Sequence, residues 1–247
     1  DGDFGQLILQ TDGSFSYTAN KSTADALTDG ETGSDIFSYR LSDGKLTDSN
    51  ELTITVVGVN DAPFLVDAIK TKKYIEGDGN IVVIDGSLDI RDVDNPNIES
   101  ATVTISSDTY VSTEDELAFT DAYDISGDWD QSTGVLTLSG STTKANYISA
   151  LQTVTYTNTD DESPELGTRV IEWVVNDGSL TSVPAGGDPV KSNIIVGGRN
   201  DSPTAVNDTA NVSAGSTVAD NNLLDNDVDP DNDDPEIPLQ TLSVTKF

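Results

Sequence analysis

The sequence predicts an all-β protein of tandem β-sandwich domains, one complete central domain flanked by two half-domains. Three observations predict it. Apolar, strongly β-forming residues alternate over short runs separated by Gly, Asn and Asp turn signals. A stretch at 35–47, DIFSYRLSDGKLT, returns at 169–181 as RVIEWVVNDGSLT. Each copy is followed by a strand and then by nearly the same punctuation, GVNDAP at 58–63 and GRNDSP at 198–203. Pro63 and Pro203 fix φ, hold the preceding residue extended and cannot continue a sheet ladder, so each Asn-Asp-x-Pro reads as a linker. The 247 residues then divide into the second half of a sandwich at 1–60, a complete sandwich at 61–200 and the first half of a sandwich at 201–247.

Along the chain, GQLILQTDGSFSYTA is a hairpin, its Asp12-Gly13 turn flanked by alternating Leu7, Leu9, Phe15 and Tyr17. It leads into the DIFSYRLSDG and ELTITVVG strands. The central unit reads as strands at 80–85, 98–106, 134–139, 153–157, 168–175 and 190–196, with Val103 and Ile105 or Leu136 and Leu138 alternating inward. One helical turn is expected at 145–152, where Tyr147, Ile148 and Leu151 fall at helical spacing as core residues. Trp173, between Ile171 and Val175, is a core residue, and packing is also the preferred reading of Trp129 among the turn residues of GDWDQSTG. The last section supplies one or two strands, an acidic loop and a further strand. Half a sandwich exposes an apolar face and open strand edges, so a neighbouring unit, in tandem or from a separate chain, is expected to complete each half.

Composition narrows the chemistry. There are 44 acidic and 12 basic residues, a formal charge of −32, and no Cys, His or Met. Thiol nucleophiles, imidazole bases, disulfides and the usual zinc sites are excluded, and hard oxygen ligands remain. Nucleic acid is not an expected partner, since the only clustered cations are Lys70, Lys72 and Lys73. No apolar run approaches the ~18 residues of a membrane span, and Asp1-Gly2-Asp3 does not read as a signal peptide, so neither insertion in a membrane nor an export address of its own is expected.

The stretch DNDVDPDNDD at 225–234 places six aspartates in ten positions. Like charges a few ångströms apart repel by about 1 kcal/mol per pair even in water, so such a loop is either solvated or holds a cation. Its spacing approaches an EF-hand, but Pro230 replaces the turn glycine and Pro235 and Pro238 forbid the exiting helix.

FGQLILQTDGSFSYTAN, DIFSYRLSDG and LTITVVGVNDAP together resemble the VCBS repeat of large bacterial surface proteins, and AVNDTANVSAGSTVADNNLLDNDVDPDNDD resembles the start of another. The middle unit is similar to the cadherin-like, immunoglobulin-like modules of RTX-type adhesins. The resemblance implies sandwich modules in a row, Ca2+ at the joints and secretion to the cell surface. It also implies ligands: Asp35, Asn60, Asp61, Asp92 and Asp94 at the first joint, and Asn200, Asp201, Asp227 and Asp229 at the second. Arg169 stands where the second joint needs the counterpart of Asp35, leaving Asp160 and Asp161 as substitutes. Turns at Asp43-Gly44 and Asp177-Gly178 are read as plain hairpins. The expected function is a calcium-rigidified spacer or filament segment of an extracellular bacterial adhesin, partnered head-to-tail by neighbouring repeats or identical subunits. The alternative is a glycan-binding adhesin module using Trp129. Catalysis is not expected, because every acidic cluster lies in a turn or linker. Asn20, Asn207 and Asn211 head Asn-x-Ser/Thr triplets that are expected to stay unmodified.

Overall fold

The computed structural model describes residues 1–68, 70–77, 82–160, 162–183, 186–218, 222–233 and 241–245. Its elements are strands, apart from two short helices and one 3-10 turn. In the first section, β1 (Gly5–Leu9) and β2 (Phe15–Ala19) pair antiparallel with Leu7 opposite Tyr17. Gly13 turns the hairpin at a φ of 90°, a conformation that glycine adopts without strain. A four-residue helix, α1 (Ser22–Asp25), precedes the long hairpin of β3 (Thr32–Ser42) and β4 (Thr47–Val57).

The middle section holds β5 (Phe64–Val66), β6 (Thr71–Ile75), β7 (Val82–Val83), β8 (Asp89–Arg91), β9 (Asn97–Ile105), β10 (Asp115–Ala118), β11 (Ser126–Asp130), β12 (Val135–Thr143), α2 (Lys144–Leu151), β13 (Thr155–Asn158), β14 (Gly167–Asn176) and β15 (Val190–Gly197). One sheet runs β11-β12-β9-β14-β15-β6, a second β10-β13-β7, and β5 pairs with β8. All pairs are antiparallel except β15 with β6, where Asn193 lies opposite Thr71 and Gly197 opposite Ile75.

These positions follow the alternation that the sequence shows. On β9 and β14, Ala101, Val103, Ile105, Ile171, Trp173 and Val175 turn one face inward, while Leu117 on β10 and Tyr156 on β13 meet them from the smaller sheet. Two layers thus share one core, which is a β-sandwich. Thr143 caps α2 by accepting from the Asn146 N–H at 3.3 Å, and the helix seats Tyr147, Ala150 and Leu151 in the core. The expected strands at 98–106, 134–139, 153–157, 168–175 and 190–196 correspond to β9, β12, β13, β14 and β15. Of the strand expected at 80–85, β7 covers 82–83; the chain bends away at 84 and 85, and 80 and 81 lie outside the described residues. β5, β6, β8, β10 and β11 were not read from the sequence. All are three to five residues long, too short for a period to show.

The hydrophobic core runs from Leu65 to Val196, and no described residue of the first or last section joins it. In the last section Thr204 bridges Val228, and Pro230–Asp233 forms the 3-10 turn. That bridge repeats the first pair of the middle section, where Phe64 lies opposite Arg91.

Candidate metal centre

Both linkers are held by one hydrogen-bond pattern. At the first, the Asp61 N–H donates to Asp94 Oδ2 at 3.2 Å and the Asp94 N–H to Asp92 Oδ1 at 3.2 Å, while Asn60 Nδ2 donates to the Asp61 carbonyl at 2.9 Å. At the second, the Asp201 N–H donates to Asp231 Oδ2, the Asp231 N–H to Asp229 Oδ1 at 3.2 Å, and Asn200 Nδ2 to the Asp201 carbonyl at 3.1 Å. Asp92-x-Asp94 therefore matches Asp229-x-Asp231, a register that the Thr204–Val228 bridge supports independently.

This corrects the sequence reading, which set Asp227 and Asp229 against Asp92 and Asp94. Asp227 instead accepts the Val206 N–H at 2.7 Å and ties its loop to the segment after the linker. Alternating aspartates hid the register, because a slip of two residues leaves the pattern unchanged.

The carboxylates are desolvated without being satisfied. Asp92 and Asp94 are 9% and 7% exposed, Asp229 and Asp231 each 6%. Asp92 Oδ2, Asp94 Oδ1 and Asp201 Oδ2 are buried with no hydrogen-bond partner among the described residues. A buried carboxylate oxygen without a donor costs several kcal/mol unless a charge answers it. Burial pushes the Asp61 carboxyl above its usual range, as do the charges of Asp94 and Asp25. Burial also raises Asp92, helped by Asp94 and opposed by the Asn95 N–H and Lys144.

Two further side chains reach these joints. Glu76, 2% exposed at the end of β6, accepts the Arg199 N–H and lies with Asp201 and Asp231 so that one carboxylate oxygen of each falls within 4.8 Å of the others. Asp177 accepts from Ser179 and Leu180 N–H through Oδ1, both at 2.7 Å, and from Asn60 Nδ2 through Oδ2 at 3.0 Å. Burial opposes ionisation there, but the Leu180 N–H, Asn60 and Ser179 together hold its carboxyl below the usual range. Its turn is thus part of the first joint as well as a hairpin. Neither residue carries a local motif; the echo of Asp43-Gly44 in Asp177-Gly178 identifies a turn but not what the turn faces.

Other predicted ligands lie elsewhere. Asp35 is 2% exposed and accepts from the N–H groups of Asp3 (2.6 Å), Phe4 and Gly5 (3.0 Å) and from the Tyr17 hydroxyl (2.6 Å). Burial would raise its carboxyl, yet Tyr17 and these N–H groups hold it low, so it anchors the first hairpin with its oxygens already engaged. Asp160 caps its own loop, accepting from Glu162 at 3.1 Å and Ser163 at 2.9 Å, and Asp161 lies outside the described residues. Arg169 serves the core: its Nε pairs with Asp115 at 2.7 Å and its Nη2 with Glu114 at 3.9 Å. Trp129 is half-buried, donates to Gln131 Oε1 at 2.8 Å and meets Tyr110 edge-on at 6.2 Å, which commits it to packing rather than to a sugar platform.

Carboxylates from the end of a strand, a linker and the following loop, with unanswered oxygens, form a donor set for a hard divalent cation. Calcium accepts six to eight such oxygens in irregular geometry, including backbone carbonyls.

No family model and no curated protein sequence matches the chain. Among solved structures it is similar to mouse clustered PcdhgC3 EC1-3, at 15% identity over 79% of this chain and 53% of that one, TM-score 0.34. It is also similar to protocadherin gamma B7 extracellular cadherin domains 1-4, at 17% identity over 87% and 45%, TM-score 0.36. An endo-fucoidan hydrolase of glycoside hydrolase family 107 matches at 16% identity over 81% and 23%, TM-score 0.24. The chain spans about half the length of the two protocadherin structures.

Proposed function

We propose that the chain is a structural repeat of an extracellular bacterial surface protein, a spacer whose joints calcium stiffens. One observation carries this reading: two linkers with the same hydrogen-bond pattern each abut buried carboxylate oxygens that lack donors. Asp61, Asp92 and Asp94 are the carboxylates for the first joint, with Asn60 and Asp177 holding the linker beside them. Glu76, Asp201, Asp229 and Asp231 are those for the second. Bound calcium would supply positive charge that turns repulsion among these groups into bridging.

The chain does the rest. The Asp61 and Asp201 N–H groups fix each linker onto the following loop, and Asn95 Nδ2 donates to Asn60 Oδ1 at 2.6 Å, setting the linker's direction before any metal binds. Extracellular calcium modules bind with dissociation constants of roughly 10⁻⁴–10⁻³ M, so the joints would stiffen outside the cell and loosen in the cytosol. VCBS and cadherin-like repeats are the family that this proposal extends to the chain, with adhesion at the cell surface as the role of the parent protein. Melting followed in calcium and in chelator tests it. The reading expects a higher melting temperature and a larger, better-defined scattering length in calcium; identical values in the two buffers would refute it.

A further inference from the structure

We infer that Lys144 is a tethered counter-ion of the first joint, a positioning residue that holds the Asp92 loop without metal and weakens calcium binding there. The inference rests on the joint reading above and names the residue that regulates that site.

Lys144 opens α2, and the docking of the helix fixes where its side chain starts. Its backbone N–H donates to the Pro96 carbonyl at 3.0 Å, and just past the other end Gln152 Nε2 donates to the Leu88 carbonyl at 2.8 Å. Asp92 and Asp94 lie between these two acceptors. The helix therefore clasps the stretch 88–96 at both ends, and Tyr147, Ala150 and Leu151, buried in the core, keep the clasp in place. From there the half-buried Lys144 side chain reaches the loop, where its Nζ donates to the Asp92 carbonyl. A lysine that gives up part of its hydration needs anionic surroundings.

The joint supplies them. Asp92 Oδ1 accepts from the N–H groups of Asp94 at 3.2 Å and Asn95 at 2.8 Å, while Asp92 Oδ2 and Asp94 Oδ1 are buried without a donor. Burial and the neighbouring Asp94 push the Asp92 carboxyl up, and the positive charge of Lys144 opposes them. Part of the negative charge at this joint is thus already answered by a cation that cannot diffuse away.

That charge acts in opposite directions on the two states of the joint. Without metal it attracts the Asp92 carboxylate and pins the loop. With a divalent cation among Asp61, Asp92 and Asp94 it repels the ion. Repulsion between two unit charges a few ångströms apart in water corresponds to roughly fivefold in a binding constant.

Full-length Lys144→Gln and Lys144→Arg proteins test this in an Asp231→Asn background, which disables the second joint. Glutamine keeps a donor for the Asp92 carbonyl and loses the charge; arginine keeps the charge. Calorimetric titration with calcium alone and melting in chelator are the readouts. Relative to the Asp231→Asn parent, Lys144→Gln should bind calcium roughly fivefold more tightly and melt earlier in chelator, and Lys144→Arg should resemble the parent in both. Lys144→Met, which deletes the donor as well, should show the same gain in binding with a larger drop in melting temperature. A purely structural lysine would lower melting without tightening the binding. Unchanged or weaker binding by the uncharged variants would overturn the inference and leave the joint reading standing, whereas a parent that takes up no calcium would remove both.

Discussion

Asp35 and Arg169 occupy matching positions in the repeated stretch and do opposite electrostatic work. Asp35 gathers three backbone N–H groups and a phenol, so Asp35→Ala should accelerate hydrogen exchange at residues 3–5 while leaving the melting of the middle section unchanged. Exchange mass spectrometry reads this, and unaltered protection at 3–5 would contradict it. Arg169 answers a fully buried Asp115, which Tyr156 also reaches by its hydroxyl. Breaking such a pair from one side costs about 3–5 kcal/mol, so Arg169→Met should lose that much in denaturant unfolding. Tyr17 is pushed up to about 12 by burial and by Asp35, from an ordinary value of 10.0. A raised folded value means its contribution is whole below pH 10 and is lost as pH climbs from 10 to 12. Tyrosinate absorbance should appear late for Tyr17, together with loosening of the first hairpin; titration of every tyrosine at its ordinary value would contradict this.

Joints and strands show how far the sequence could be read. The linkers, the repeated hairpins and the longer strands of the core were legible, because proline chemistry and a two-residue period act locally. Asn60, Asp61, Asp92, Asp94, Asn200, Asp201 and Asp229, which the resemblance nominates, take part in the matching hydrogen-bond patterns of the two linkers. Glu76 carries no signal in the sequence and Asp177 reads there as a plain hairpin turn, since what places them is the parallel β15–β6 pair and the turn that faces Asn60, both products of tertiary structure. Asp231 was hidden by a repetitive loop. These assignments separate by mutation: Asp231→Asn should remove the calcium-dependent rise in melting at the second joint, whereas Asp227→Asn, which alters a contact to Val206, should keep it. Equal effects would restore the slipped register.

At the scale of the molecule, a finished sandwich stands between two sections whose described residues take no part in its core. The first section exposes apolar side chains such as Ile36, Leu41 and Leu46. On the proposed reading, the stiffness of the protein depends on the joints. A net charge of −32 favours separation of like-charged surfaces wherever a cation is absent, and Asp61, Asp92, Asp94, Asp201, Asp229 and Asp231 gather at the linkers. The most direct measurement is a high-resolution density map of the chain in calcium-containing buffer. The account predicts an ion held by Asp61, Asp92 and Asp94 and another by Glu76, Asp201 and Asp231. Only water around these carboxylates would contradict it.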